Sequence, residues 1–348
     1  MSGRTLQLST AVGLVAVLIL AGWSIAHSGA AESPSASPSA SRLVAVATRT
    51  PVVIRTPDQT PVPSDTPPPS YPNVISCDPA AVPGSTGVSA SASWKSGSFT
   101  LHVPVLMYHR IVPMSEAGNS DPGLVVPPDT FSAQLDAIEA AGWHTITMGT
   151  LANDLQAHVA PPAKSFVITI DDGWEDGYTY ALPILGSHGY VATYYVIAGR
   201  IDKPDNLTSG QLQDLVAAGD EIGDHTMDHV DLVNLPAVTL RYEIETAAAR
   251  IAQVTGFWPE SFSYPSGGVD DTVAAAVTAC GQLRSGVVEE PVPAAQPTKT
   301  KKAAVGVPVA LETWSNRWVI PRVRITPNTK PNYLADDLKI LAEGRPMG

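Results

Sequence analysis

Short apolar runs and helical periodicities alternate along the chain from about residue 101 to residue 325. Runs rich in β-branched and aromatic residues predict strands at 101–109, 166–170, 192–197, 261–264 and 318–325. Helical spacing of apolar residues predicts helices at 130–141, 178–188, 209–218, 238–255 and 271–279. This alternation predicts an α/β fold around a parallel sheet. The segment 287–310, rich in Pro, Ala and Lys, is typical of a surface insertion.

The first 75 residues differ in character from the rest. Arg4 precedes an almost unbroken apolar run over 11–26, and small residues follow at 28–31, so 1–31 is predicted to be a signal peptide or a retained membrane anchor. Residues 32–75 are rich in Ser, Pro and Thr and predict a disordered linker, because such a stretch buries too little apolar surface to fold. The folded domain is then 76–348, with its motifs within 104–325.

Composition bears on partners and compartment. The 21 basic and 33 acidic residues give a net charge of -12, whereas a nucleic-acid-binding domain normally presents a basic face. We therefore expect no nucleic-acid partner, and membrane contact only through the N-terminal segment. The two cysteines, Cys77 and Cys280, fit either one disulfide in an exported protein or two separate buried thiols.

Two adjacent carboxylates follow the strand predicted at 166–170. Asp171 and Asp172 precede Gly173, which allows the backbone to turn sharply. Parallel strands present their C-terminal ends to ligands, and neighbouring carboxylates repel unless a partner such as a metal ion stabilises their charge. A solvated acidic turn explains this motif equally well when it is taken alone.

A pair of histidines occurs about fifty residues later, at His225 and His229. The residue after His225 is Thr226 and not Glu, so the pattern is not that of the HExxH metalloproteases. Taken alone, the pair also fits surface histidines. Together with Asp172 it forms a His-His-Asp set that can bind a divalent metal with positions open for water and substrate, while Asp171 remains for proton transfer.

Three motifs together resemble the polysaccharide deacetylase family, also called the NodB-homology family or carbohydrate esterase family 4. Residues 169–173 resemble its first motif (Thr-Phe-Asp-Asp-Gly), residues 225–229 its second (His-Ser/Thr-x-x-His), and residues 262–267 its third in outline. Their order and spacing agree over roughly 104–324. The resemblance implies a distorted (β/α) barrel and metal-dependent removal of acetyl groups from sugars.

The resemblance also implies a role for each motif residue. Asp171 would act as the general base, and the backbone N–H of Ser266 would help to hold the oxyanion. Asp172, His225 and His229 would bind the metal. Zinc is the usual ion in this family, and Co²⁺ or Ni²⁺ also suits two imidazoles and a carboxylate.

The chain departs from the common family pattern in two places. Ser263 stands where an arginine usually orients the base, and no histidine occurs after residue 229 to supply the usual late general acid. However, residues 104–110 resemble the branch that acts on bacterial exopolysaccharides such as poly-N-acetylglucosamine, whose barrel is circularly permuted. That resemblance implies His109 as the acid, with a core histidine as the alternative. It also implies a late orienting arginine, for which we name Arg324, although strand alternation puts Arg322 on the same face.

The expected function is metal-dependent removal of N-acetyl groups from a cell-surface or extracellular polysaccharide that contains N-acetylglucosamine. Such a protein would be secreted or tethered at the cell surface, and its partner would be the N-acetylated polysaccharide. Two alternatives stay open: an esterase that removes O-acetyl groups, as from xylan, and a carbohydrate-binding wall protein that has kept the fold but lost catalysis. Poly-N-acetylglucosamine-like glycans, peptidoglycan and chitin all present the same acetamide.

Overall fold

The computed structural model describes residues 74–86, 98–288, 312–313 and 316–345. The predicted N-terminal segment 1–31, nearly all of the predicted linker 32–75 and most of the predicted insertion 287–310 lie outside these residues. None of the helices within the described parts combines the length and the apolar character that a membrane span requires.

The strands of the described residues form one large sheet and two short pairs. Nine of them belong to the large sheet, while β1 pairs with β11 and β3 with β4. In chain order they are β1 Thr100–Leu101, β2 Val105–Tyr108, β3 Arg110–Ile111, β4 Val125–Val126, β5 His144–Thr145, β6 Ser165–Ile170, β7 Thr193–Val196, β8 Glu221–Asp224, β9 Ser261–Ser263, β10 Ser285–Val288, β11 Glu312–Thr313, β12 Ile320–Pro321 and β13 Val323–Arg324.

The large sheet closes into a barrel at Arg322. Its order is β12-β10-β9-β8-β7-β6-β2-β13, with β5 beside β6, and its paired strands are parallel. Strands β12 and β13 flank Arg322 in the chain, yet β12 pairs with β10 at one edge and β13 with β2 at the other. This short segment therefore joins both edges, and the predicted (β/α) barrel is confirmed.

Helices cover the outside of the barrel. They are α1 Pro128–Ala140, α2 Met148–Ala157, α3 Leu182–Ser187, α4 Ser209–Ala218, α5 Ala237–Arg241, α6 Ala247–Thr255, α7 Asp271–Ala279 and α8 Pro331–Ala342. A π-helical turn, Gly177–Ala181, precedes α3, and a second one, Tyr242–Thr246, joins α5 to α6. The sequence pattern did not predict α2 or α8, and α8 packs against α1.

The side chains of β6 divide between two apolar clusters. Phe166, Ile168 and Ile170 belong to the large core between the sheet and its helices, whereas Val167 belongs to a smaller cluster that includes Tyr195 and Val287. Because successive side chains of a strand point to opposite faces, residues two and four positions after Val167 share its face. Asp171 therefore points into the barrel.

A disulfide joins the N-terminal described segment to the end of α7. Cys77 and Cys280 are bonded across 203 residues of sequence, with their Cα atoms 5.2 Å apart. The Ile75 N–H also donates to the Thr246 hydroxyl at 3.1 Å. Of the two alternatives left open for these cysteines, the structure has the disulfide, which ties residues 74–86 to the barrel.

Three predicted boundaries are wrong. The strand predicted at 101–109 is broken before β2, next to Pro104, which has no N–H to donate to a neighbouring strand. The strand predicted at 318–325 is split at Arg322, because the two halves pair with different neighbours. The insertion predicted from residue 287 begins too early, since Val287 and Val288 are buried residues of β10.

Candidate active site and metal centre

Asp171 lies at the C-terminal end of β6 with only 2% of its surface exposed. Arg322 donates to both of its carboxylate oxygens, from Nη1 to Oδ1 at 2.7 Å and from Nη2 to Oδ2 at 2.8 Å. The Ser263 hydroxyl donates to Oδ2 at 3.2 Å. Burial alone would raise the pKa of Asp171, but the charge and hydrogen bonds of Arg322 outweigh it and hold the pKa below its usual value. Asp171 is therefore ionised and able to accept a proton.

Of the two candidate arginines, the structure places Arg322 against Asp171, and not Arg324, which was the one named. Arg322 is fully buried, and its guanidinium also donates to the hydroxyls of Thr169 and Ser263, at 3.0 and 3.1 Å. Arg324 lies beside Met107, two residues nearer the C-terminal rim and half-buried, and its charge acts on His109. Strand alternation puts both arginine side chains on the same face, but only Arg322, which lies deeper in the barrel, contacts Asp171.

Asp172, His225 and His229 bring three potential ligand atoms together, within 4.8 Å of one another. Asp172 Oδ1 lies 3.5 Å from His225 Nε2 and 3.6 Å from His229 Nε2. Two ligand atoms bound tetrahedrally at about 2.1 Å from a zinc ion would stand about 3.4 Å apart. The donor types and their spacing therefore fit a divalent cation.

Neighbouring groups fix the orientation of two of these ligands. His225 Nδ1 lies 2.7 Å from the carbonyl oxygen of Ser263, which can only accept, so Nδ1 carries a proton and Nε2 is the ring nitrogen that faces Asp172 and can bind a metal once it is deprotonated. The Trp174 indole N–H donates to Asp172 Oδ2 at 3.2 Å, on the oxygen that does not face the histidines. Burial raises the pKa of Asp172, but the bond and charge of His225, with His109 and His229, lower it overall. Asp172 is therefore ionised.

The backbone at the site adopts conformations that side chains normally disfavour. Asp172, Thr226, His229 and Ser266 have φ angles of 76°, 68°, 58° and 53°. Left-handed residues of this kind cost about 1–3 kcal/mol each and tend to occur at functional sites, where surrounding contacts hold them. At Gly173 (φ 70°) a Cβ would also lie 3.2 Å from the side chain of Val196, so only glycine fits the turn.

The two remaining predicted residues lie at the same edge of the barrel. His109 directly follows β2, where the Asp171 N–H donates to the carbonyl of Tyr108 at 3.0 Å. Burial holds the pKa of His109 below its usual value, although the charges of Asp171 and Asp172 act in the opposite direction. Ser266 is exposed in the turn Pro265–Gly267, which follows β9.

The sequence pattern did not predict a set of side-chain contacts that extends from Asp172 through Trp174 and Arg110 to Asp176. The Arg110 guanidinium lies 4.2 Å from the centroid of the Trp174 ring and forms an ion pair with buried Asp176. Asp176 also accepts from the Ile111 N–H at 3.1 Å. The sequence contained a signal for these contacts, because Trp174 and Asp176 come just after the carboxylate motif at 171–173, and Arg110 follows His109, the predicted general acid.

Parallel α/β barrels have their active sites at the C-terminal edge, where this chain gathers its carboxylate and imidazole side chains. Residues 158–283 match the polysaccharide deacetylase family. The chain therefore carries a polysaccharide deacetylase domain, and it is similar to that family of hydrolases.

Individual relatives agree with this assignment. The chain is 29% identical over 201 residues to the Bacillus subtilis "Putative polysaccharide deacetylase YxkH", which covers 58% of this chain and 69% of that protein. The Streptococcus pyogenes deacetylase PplD, solved in complex with acetate, is 25% identical with a TM-score of 0.57, over 69% of this chain and 98% of that chain. IcaB from Ammonifex degensii shares the fold at 23% identity and a TM-score of 0.51, over 69% of this chain and 97% of that chain.

Proposed function

We propose that this chain removes N-acetyl groups from an extracellular polysaccharide that contains N-acetylglucosamine, using a divalent cation held by Asp172, His225 and His229. One observation carries the proposal: Asp171 Oδ2 lies 4.0 Å from His225 Nε2, so an ionised carboxylate adjoins the ligand set without belonging to it. When bound, the cation supplies Lewis-acid polarisation and a lowered pKa for adjacent water.

The protein groups account for the proton transfers of amide hydrolysis. Asp171, kept ionised by Arg322, accepts the proton of the attacking water. The Ser266 N–H donates to the oxyanion that develops on the acetyl carbonyl. His109 donates a proton to the sugar amine, which is a poor leaving group without one. Because Asp171 and Asp172 counter the effect of burial on the pKa of His109, its ring holds a proton most firmly while both carboxylates are ionised.

Two further observations support the substrate class and compartment. PplD was solved with acetate, which is the product of deacetylation. The disulfide between Cys77 and Cys280 favours an oxidising compartment outside the cytosol, where surface glycans lie. Export through the apolar N-terminal segment, either cleaved or kept as an anchor, belongs to the same proposal.

Acetate release from a panel of glycans tests the function. The panel contains N-acetylglucosamine oligomers, peptidoglycan and acetylated xylan, each with the untreated protein, with a chelator, and with Zn²⁺, Co²⁺ or Ni²⁺ added back. We expect acetate from the N-acetylated glycans, its loss on chelation and its recovery with metal. Release from xylan alone would replace the proposal with an O-acetyl esterase. No release from any glycan by metal-loaded protein would favour a carbohydrate-binding protein without catalysis.

A further inference from the structure

The loop that carries both histidines, residues 225–229, has every backbone N–H bonded. This matters because two of its residues, Thr226 and His229, hold left-handed conformations that an unsupported loop would leave. Three of the five acceptors are side-chain oxygens. The bonds run from His225 to the Val196 carbonyl (3.1 Å), from Thr226 to Asp224 Oδ1 (2.8 Å), from Met227 to the Glu243 carbonyl (3.0 Å), from Asp228 to Glu243 Oε2 (2.9 Å) and from His229 to Thr226 Oγ1 (2.9 Å).

Glu243 contributes more of these contacts than any other residue outside the loop. It is fully buried in the π-helical turn Tyr242–Thr246, and it accepts from Met227 with its backbone and from Asp228 with its side chain. Single π-helical turns inside helices frequently occur at functional sites.

The contacts of Glu243 end directly beside His229. Its side chain accepts from the N–H of Asp228, the residue before His229, while the His229 N–H donates to Thr226 Oγ1 within the loop. Loss of the Glu243 carboxyl group would therefore leave the Asp228 N–H without its acceptor. The left-handed turn that presents His229 to Asp172 would lose its support.

We infer that Glu243 is a positioning residue that sets the affinity of the two-histidine loop for its divalent cation, acting through the Asp228 amide. The inference rests on the proposed metal site. Groups that orient metal ligands from outside typically change affinity by about 10- to 100-fold when they are removed. Glu243 itself does not belong to the ligand set.

The test is a zinc titration of the purified apoprotein against a chromophoric chelator, together with the visible absorption spectrum of the Co²⁺-loaded protein. Glu243→Met keeps the length of the side chain but removes both acceptors, and should weaken zinc binding by about 10- to 100-fold and broaden the cobalt spectrum. Glu243→Gln should restore affinity to within about threefold of the wild type, because its carbonyl oxygen still accepts from Asp228.

Glu245→Met is the matched control. Glu245 lies in the same π-helical turn, but its carboxylate bonds to Arg241, with Arg241 Nε 2.7 Å from Oε1. This variant should bind zinc as the wild type does. If Glu243→Met binds zinc as tightly as Glu245→Met, the inference is wrong.

A second pair of variants decides the matter if Glu243→Met does not fold. Thr226→Val preserves the shape of the side chain and removes the hydroxyl, whereas Thr226→Ser retains it. Weak zinc binding by the valine variant with recovery in the serine variant shows that hydrogen bonds to the loop backbone set the zinc affinity, as the inference requires, and equal binding by both refutes it. Failure of the wild type to bind any divalent cation would instead refute the proposed metal site.

Discussion

Strand β8 runs between two ends of the barrel where carboxyl groups have opposite pKa shifts. At the C-terminal end, beside His225, buried Asp171 is paired with Arg322 and its pKa is lowered. At the N-terminal end, half-buried Glu221 is the first residue of the same strand, and desolvation raises its pKa. Both groups lie inside the same fold, so burial alone does not decide their charge.

The opposite pKa shifts of Asp171 and Glu221 follow from the hydrogen-bond donors that surround them. Glu221 accepts from the Gly149 N–H at 2.6 Å, the Ser261 hydroxyl at 2.7 Å and the Thr193 hydroxyl at 3.1 Å, all of them neutral. Three neutral donors do not offset the desolvation of Glu221, whereas one guanidinium offsets that of Asp171. The C-terminal end, where Arg322 supplies a positive charge, therefore has an ionised carboxylate that can act as a base. The other end has polar contacts that hold strands and helices together, which is the usual division of a parallel barrel.

The largest expected effect is at Asp171. Asp171→Asn removes the proton acceptor while its carbonyl oxygen can still accept from Arg322, so acetate release should fall by roughly 10²- to 10⁴-fold. Zinc affinity should change little, because Asp171 lies outside the ligand set. Glu221→Gln makes the equivalent change at the opposite end and should leave the rate near that of the wild type. Undiminished acetate release by Asp171→Asn would remove Asp171 from the mechanism.

The second-largest expected effect is on stability, through the ion pair between Arg322 and Asp171. Arg322→Met leaves Asp171 buried without its cation, and breaking a buried pair in this way costs about 3–5 kcal/mol of unfolding free energy. Urea denaturation measures this loss. The double variant Asp171→Asn with Arg322→Met should recover part of it, since no buried charge remains. Arg324→Met is the control, expected to cost less because Arg324 is half-buried. Equal losses from both arginines would contradict the assignment of Arg322.

Local motifs in the sequence were enough to predict most of the site. Asp171, Asp172, His225 and His229 belong to short segments that follow strands, and parallel strand ends meet at one edge, so their proximity follows from the fold class. The barrel class was predictable in the same way, from the alternation of strands and helices.

Features that depend on distant contacts could not be predicted in this way. The choice between Arg322 and Arg324 depends on how residues 320–324 close the barrel, since β12 and β13 pair with opposite edges. The path from Glu243 to the histidine loop crosses from a helix to a strand end, and nothing in the local sequence marks it. Helix α8, by contrast, could have been predicted, because its buried residues Leu334, Leu338 and Leu341 have the i, i+4, i+7 spacing of an amphipathic helix.

The pH dependence of stability tests the N-terminal end directly. Burial raises the pKa of Asp220 from its ordinary value of 3.8 to about 7, although its carboxylate accepts from the Ala192 N–H at 2.7 Å. The folded chain thus holds this proton more tightly than the unfolded chain, and the unfolding free energy should fall as pH rises through this window. One such group contributes up to about 1.4 kcal/mol per pH unit.

Asp220→Asn removes this titration and should flatten the decline, although Glu221 next to it keeps a part of the slope. Chemical denaturation at a series of pH values between 3.8 and about 7 measures this decline in the unfolding free energy. Glu343→Gln, at an exposed site near the C-terminus, should leave the slope as it is in the wild type. A slope that Asp220→Asn does not alter would show that the carboxyl group ionises freely in the folded chain.

The smallest effect concerns a neutral donor at the C-terminal end. Trp174→Phe keeps an aromatic ring beneath Arg110 and removes the N–H bond to Asp172 Oδ2. A single such bond is worth about 1 kcal/mol, so zinc affinity should fall roughly fivefold. Trp258→Phe is the matched control, because it removes the indole bond to the Ser85 hydroxyl, at 2.8 Å, in a part of the fold away from the ligands. If both variants bind zinc equally, neutral donors do not orient Asp172, and the charged groups around it alone determine its position.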